Sequence, residues 1–213
     1  MKAATPTRKK LPKVKEPLQE RSKETRRKII DAGRELFAEI GFDETTTHLI
    51  AERSGLSVGG LYAHFRNKEE LFLHILEQRS EEIYQLTREC IDTIQKRDMP
   101  LNEGLDYYFN TMYKAHIRHG RLNVEMDKFT RMNPLAQEIH DSWENKEMDA
   151  AGEWLSQYAK AAGVGDRDAA MVVMGRATHE VFHYLYKNRD RVDEKKVLGS
   201  LILMFKRFLR VSD

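Results

Sequence analysis

Residues 45–68, TTTHLIAERSGLSVGGLYAHFRNK, constrain the fold more than any other stretch of this chain. Thr46 or Thr47 caps a first helix through Ile50, Ala51 and Arg53, because a hydroxyl accepts from a free amide of the first turn. Ser54-Gly55 breaks that helix, with Gly55 where a left-handed residue is needed. Ser57 then caps a second helix, about two turns long by its pattern, running through Leu61, Tyr62 and Phe65. Ile50, Ala51, Leu56, Leu61 and Phe65 form the apolar faces, and the small Ala51 lets two backbones approach. This punctuation predicts a helix-turn-helix, whose second helix is shaped to enter a DNA major groove.

The rest of the chain reads as helices of period 3.6, and no segment sustains the two-residue alternation of a sheet. Ile29, Ile30, Leu36, Phe37 and Ile40 predict a helix from Ser22 to Gly41. Asn67 caps a long helix through Leu71, Phe72, Ile75, Leu76, Ile83, Leu86 and Ile91, and Met99-Pro100 interrupts it. Further helices are predicted over 101–119, from Gly120 to Met132, from Asn133-Pro134 to near Gly163, from Asp166 or Asp168 through Leu185, and from Asp193 through Leu209. The reading is all-α with about nine helices. It places a basic disordered tail at 1–21, a helix-turn-helix domain at 22–68 and a larger helical domain at 69–213.

Net charge is only +2, too weak to argue nucleic-acid binding by itself. Its distribution says more: residues 1–75 hold 15 Lys/Arg against 11 Asp/Glu, a net of +4, leaving −2 for the remainder. In the tail, Arg8-Lys9-Lys10 with Lys13 and Lys15 reads either as a solvated arm or as a phosphate and minor-groove contact. The single cysteine, Cys90, excludes an internal disulfide and sits in a helical pattern as a buried, inert residue; a redox sensor is the alternative. No apolar run reaches the roughly 18 residues of a membrane span, and the charged N-terminus lacks an apolar signal core. A cytoplasmic protein with no membrane partner is expected.

Residues 25–76 resemble the DNA-binding domain of TetR-family transcriptional regulators. The likeness rests on Ile29, Ile30, Ala32, Leu36 and Phe37, then Gly41-Phe42, Thr45-Thr46, Ile50-Ala51 and Ser54-Gly55-Leu56-Ser57. It closes on Gly59, Leu61-Tyr62, His64-Phe65, Lys68-Glu69-Glu70-Leu71 and Leu76. The resemblance implies a homodimer on palindromic double-stranded operator DNA. It further implies that a small effector releases a repressor from that DNA. Phosphate contacts are expected from Thr46 and Thr47, whose free amides also favour an anion. The resemblance adds Tyr62, His64 and Lys68 to phosphate, and Lys23, Arg26 and Arg27 offer charge from the first helix. The short second helix presents Ser57, Val58, Gly59 and Gly60 to base edges, and relatives read bases at the positions of Val58 and Gly60. Here the chain departs from the pattern: Val58 makes only an apolar contact and Gly60 offers backbone alone. His48 is a further base-reading candidate.

His179-Glu180-Val181-Phe182-His183 matches H-E-x-x-H, with both histidines on one helix face and Glu180 as the base of a zinc hydrolase. The extended signature needs Gly at 186 and His at 189, which are Tyr186 and Arg189, and no strand is predicted to hold substrate. A catalytic metal is therefore not expected. A regulatory metal completed by His116 or His140 is the alternative function, and a di-iron bundle fails because Glu180/His183 is the only Glu-x-x-His pair. No cofactor is expected.

The effector pocket is assigned to Tyr108, Met112, Tyr113, His116, Trp143, Trp154 and His179, with Phe129 and Met148 nearby. A Met- and aromatic-rich wall with a few polar tips suits a mostly apolar or aromatic ligand. Met171, Met174, Phe182 and Leu185, with Leu201, Phe205 and Phe208, exceed what one small core consumes. They are read as a four-helix dimer seam with Gly175 and Gly199 at close crossings, and mutual packing within the monomer is the alternative.

Overall fold

The structure, a computed structural model, describes residues 20–161, 163 and 165–210. The basic cluster at Arg8 to Lys15 lies outside the described residues, and Glu20 and Arg21, expected in the tail, already belong to the first helix. Nine helices occupy the described residues, which contain no strand: α1 (Glu20–Glu44), α2 (Thr47–Arg53), α3 (Val58–Tyr62), α4 (Lys68–Lys96), α5 (Leu101–Arg118), α6 (Gly120–Met132), α7 (Pro134–Ala161), α8 (Arg167–Asn188) and α9 (Glu194–Phe208). The chain divides after Phe72, inside α4, into two compact units.

In the first unit, α1 buries Ile29, Ile30, Ala32, Leu36 and Phe37, positions three and four apart. Its regular course stops at Gly41, where φ is 87° and ψ 171°, a conformation that L side chains rarely adopt. Phe37, Phe42 and Phe72 meet just beyond, with centroids 4.7 to 5.7 Å apart. Ile50, Ala51, Leu61 and Phe65 close the core from the other side. Arg53 clamps α2 to α1 through Glu35 at 3.2 Å and Glu39 at 2.9 Å.

The second unit is a helical bundle in which α5 packs on α8 and α9, and α7 on α6 and α8. Its core runs through Ile94, Leu105, Phe109, Leu155, Leu185, Leu201 and Phe205. Arg79 is buried and donates to the carbonyl of Ala115 at 3.0 Å, joining α4 to α5, and Lys206 reaches Asp106 across α9 and α5 at 2.8 Å. Cys90 is buried, and burial pushes its thiol up, away from the reactive thiolate.

One expectation about packing changes. Met174, Phe182, Leu185, Leu201 and Phe205, read as a dimer seam, lie in the core of the unit itself. Both sides of α8 and α9 are apolar, so the pattern did not say which side turns inward. The exposed set is Val172, Val173 and Tyr184 on α8, with Leu203, Met204 and Phe208 on α9. Gly175 faces Met148 of α7 at ordinary contact distance, whereas a side chain at Gly199 meets nothing within 4 Å.

The tightest glycine in the bundle is Gly120, which opens α6. A Cβ there would overlap the ring of Tyr186 on α8. Gly120→Ala should therefore push that ring off its seat and lower stability by about 1–3 kcal/mol, the usual cost of overpacking. Thermal unfolding checks this, and an unchanged midpoint would show that Tyr186 swings away freely.

Candidate DNA interface and effector cavity

The helix-turn-helix is built as its local sequence dictates. Thr46 caps α2, its hydroxyl accepting from the amide of Leu49 at 3.2 Å. Gly55 turns the chain at φ 71°, and Ser57 caps α3, accepting from Gly60 at 3.1 Å. Helix α3 ends at Tyr62, earlier than expected; His64 then sits in the following turn, where its amide bonds back to the carbonyl of Leu61. Two consecutive glycines and a five-residue length explain so short a helix.

Thr46, His48, Ser57, Gly59 and Tyr62 are exposed; Thr47, Val58, Gly60, His64 and Lys68 are half-buried. The Thr47 and Tyr62 hydroxyls lie 3.3 Å apart, tying the start of α2 to the end of α3. Burial and the charge of Arg26 lower the His64 pKa, so the ring is neutral. Arg26 lies 4.2 Å over the Phe65 ring and donates to the carbonyl of His64, and Lys23 pairs with Glu20 at 2.8 Å. Arg27 is exposed on α1.

Lys68 differs from expectation. Its ammonium donates to the carbonyls of Phe42 at 2.9 Å, Asp43 at 3.1 Å and Thr45 at 3.0 Å, above the Phe42 ring at 4.5 Å. An ammonium has three donors, and all three are engaged. Lys68 thus fastens the end of α1 and offers phosphate its charge but no free N–H.

In the second unit a cavity of about 270 Å³ opens among α4 to α9. Tyr108, Met112, His116, Trp143, Met148, Trp154 and His179 line it as expected; Tyr113 and Phe129 do not. Tyr113 instead meets Phe182 edge to face with centroids 5.3 Å apart, and burial with the nearby Glu194 pushes its phenol up to about 12.

The wall is more polar than its sequence suggested. Arg79, Asp127, Glu144, Glu147 and His183 also face the cavity. Glu144 pairs with Arg176 at 3.1 Å, and Asp127 with Arg131 at 3.2 Å. Glu147 makes no hydrogen bond or ion pair among the described residues. Burial, with the charge of Glu144, pushes its carboxyl up to about 8 against the pull of Arg79. A readable signal existed: Trp143, Glu147 and Trp154 fall at i, i+4 and i+11 of α7, on one face.

The histidines form a chain rather than a shell. His116 and His183 rings are 4.9 Å apart, His183 and His179 4.4 Å, and His179 and His140 6.4 Å. Burial, reinforced by neighbouring charges, lowers His116 to about 3, and burial lowers His179 and His183. Glu180 is exposed, beside His179 rather than in the cavity. Among the described residues, the group whose donor atoms converge is instead His140, Asp141 and Glu144. Asp141 there accepts from Gln137, and Glu144 already pairs with Arg176. Neither the hydrolase nor the regulatory metal reading of the H-E-x-x-H motif is supported by this placement.

The comparisons fall on the same ground. Residues 29–75 match the family pattern described as bacterial regulatory proteins, tetR family. The regulator QacR of Staphylococcus aureus is 31% identical over 138 residues, 60% of this chain and 72% of that protein. The chain belongs to the TetR family. It is accordingly a helix-turn-helix regulator of transcription and not an enzyme. A transcriptional regulator from Pseudomonas aeruginosa PAO1 superimposes with a TM-score of 0.74 at 15% identity, covering 89% of this chain and 92% of that one. FadR from Bacillus subtilis, solved in complex with stearoyl-CoA, gives 0.67 at 17% identity over 84% and 96%. At such identities these two likenesses concern the fold. No helix among the described residues is long and apolar enough to cross a membrane.

The cavity's opposed ionisations give a pH dependence. A histidine neutral in the fold but protonated when unfolded adds stability above about 6.5 that is lost as pH falls. Glu147 is protonated in the fold up to about 8 but ionised when unfolded above 4.5, so its contribution is lost as pH rises. The two oppose each other between pH 5 and 7. Glu147→Gln should remove the offset, and stability should then fall between pH 7 and 5 by about 1–2 kcal/mol more than in the unaltered protein. Denaturant unfolding at both pH values reads this, and parallel curves would show that Glu147 is not protonated in the fold.

Proposed function

We propose that this TetR-family regulator is a homodimeric repressor that grips a palindromic operator through α2 and α3 and releases it when a small, mostly apolar or aromatic effector fills the cavity. The observation that carries the DNA half is the fixed presentation of α2 and α3: two side-chain caps, a left-handed glycine and the Thr47–Tyr62 hydroxyl contact hold a small exposed set on one motif. Thr46, Thr47, Tyr62 and His64 take phosphate, where hydroxyls and a neutral imidazole donate and the start of α2 favours an anion. His48 and Val58 address base edges, Val58 through an apolar contact to a thymine methyl. Gly59 and Gly60 bring backbone close.

The exposed Val172, Val173, Tyr184, Leu203, Met204 and Phe208 support a dimer face on α8 and α9, with Gly199 leaving room for close approach. A twofold assembly places two copies of α3 on two half-sites, which is why the operator is palindromic. Introducing charge with Met204→Arg and Phe208→Glu should yield monomers in sedimentation and abolish tight duplex binding. A variant that stays dimeric would move the interface elsewhere.

Duplexes selected from a random pool should contain inverted repeats. Tyr62→Phe should weaken binding to specific and random duplexes alike by about 1 kcal/mol, since it removes one phosphate hydrogen bond and no base contact. Lys68→Met should also weaken it, but together with a fall of about 1–3 kcal/mol in stability, because its first loss is the clamp on α1. Tight, salt-insensitive binding by all three proteins would overturn the assignment. Effector and operator must also weaken each other by one common factor, typically worth about 1–3 kcal/mol.

A further inference from the structure

We infer that the cavity takes an aromatic organic cation, with the Glu147 carboxylate as its counter-charge. This rests on the cavity being the effector site, as proposed above. Three acids line the cavity, and two have arginine partners: Glu144 has Arg176 and Asp127 has Arg131. Glu147 has none among the described residues. The one guanidinium in the wall, Arg79, is turned to the carbonyl of Ala115 and to Glu82. Burial without a partner keeps this carboxyl protonated up to about 8, and a cation seated beside it favours the carboxylate, the proton leaving to solvent.

The surrounding surface is suited to a cation as well as to a flat apolar body. Trp143, Glu147 and Trp154 share one face of α7, and Tyr108 of α5 leans on Trp154 with centroids 5.8 Å apart. Indole and phenol faces carry negative potential and attract a diffuse positive charge more than a compact, strongly hydrated one. Trp143 shows the attraction to positive charge, with the Lys146 ammonium 3.5 Å from its ring centroid. A quaternary or tertiary ammonium joined to an aromatic group satisfies the rings and the carboxylate together, whereas a fatty acid or phosphate carries a charge that opposes ionisation of Glu147.

The test uses an isosteric pair, (4-trimethylammoniophenyl)methanol and (4-tert-butylphenyl)methanol, which differ in charge and hardly in shape. Both tryptophans of the chain line the cavity, so intrinsic fluorescence of the full-length protein reports occupancy directly. The cation should bind about ten-fold tighter than its neutral twin, a factor within the range of desolvated cation–π and charge contacts. Glu147→Gln should cut that preference to about three-fold or less, the part left to the aromatic faces, while leaving the neutral probe's affinity within two-fold. Equal binding of both probes, or a preference unchanged by Glu147→Gln, would overturn the cation inference and leave the cavity reading standing. Binding of neither probe at millimolar concentration would remove the cavity reading and this inference with it. A chemical-shift change at the Glu147 side chain on adding the cation separates a direct contact from a loss of fold.

Discussion

The first unit depends on one ammonium. Lys68 stands at the start of α4 and closes the open end of α1, donating to the carbonyls of Phe42, Asp43 and Thr45. Those are groups for which a helix has no internal partner, and a cation there also answers the negative end of the dipole. Gly41 has already broken the helix, and Thr45, fully buried, returns its hydroxyl to the carbonyl of Gly41 at 2.6 Å. The next residue is the cap of α2. The break, the clamp and the cap follow within six residues, so the entry angle of the helix-turn-helix is fixed by hydrogen bonds to backbone rather than by side-chain packing alone. The Phe37–Phe42–Phe72 cluster supplies the apolar floor beneath that polar knot.

Helix limits were legible because they are set locally. Asn67, Asp166 and Asp193 each accept from the amide three residues on, and each begins a helix where the sequence placed it. The Gly120 start and the Pro134 start also hold. What sequence left hidden is non-local. The role of Lys68 depends on carbonyls more than twenty residues upstream. The inward face of α9 depends on which neighbour claims it: Leu201 and Phe205 go to the core, while Met204 and Phe208, equally apolar, do not. Tyr113 reads like its neighbour Met112 but turns to Phe182, one helix position from the cavity it was assigned to. Periodicity identifies a stripe, not its partner.

The cavity shows a different economy from the helix-turn-helix. Three histidines are kept neutral and one carboxyl is kept protonated, each by burial first. The buried Nε2 of His116 has no hydrogen-bond partner among the described residues. Unsatisfied polar groups of this kind cost about 1–3 kcal/mol each, a cost that an occupant with matching polar groups would offset. A site of that sort selects by chemistry as well as by shape, because a purely hydrocarbon ligand leaves the same groups unpaired.

Helix α3 itself is sparing. Nothing in the fold requires glycine at 59, where a Cβ meets no atom within 4 Å, and helix propensity favours Ala there by up to about 1 kcal/mol. At Gly60 a Cβ reaches ordinary contact with the Ser57 hydroxyl that caps the helix. The packing is therefore tolerant at both positions, and α3 is held by the Ser57 cap, the buried Leu61 and the Thr47–Tyr62 contact rather than by anything at its two glycines. A helix so presented lays backbone, rather than hydrogen-bonding side chains, against whatever it approaches. In the DNA-bound arrangement proposed above, discrimination between duplexes would rest on Val58, on His48 of α2 and on the sequence-dependent width and stiffness of the groove, which a close backbone senses through fit rather than through donors and acceptors.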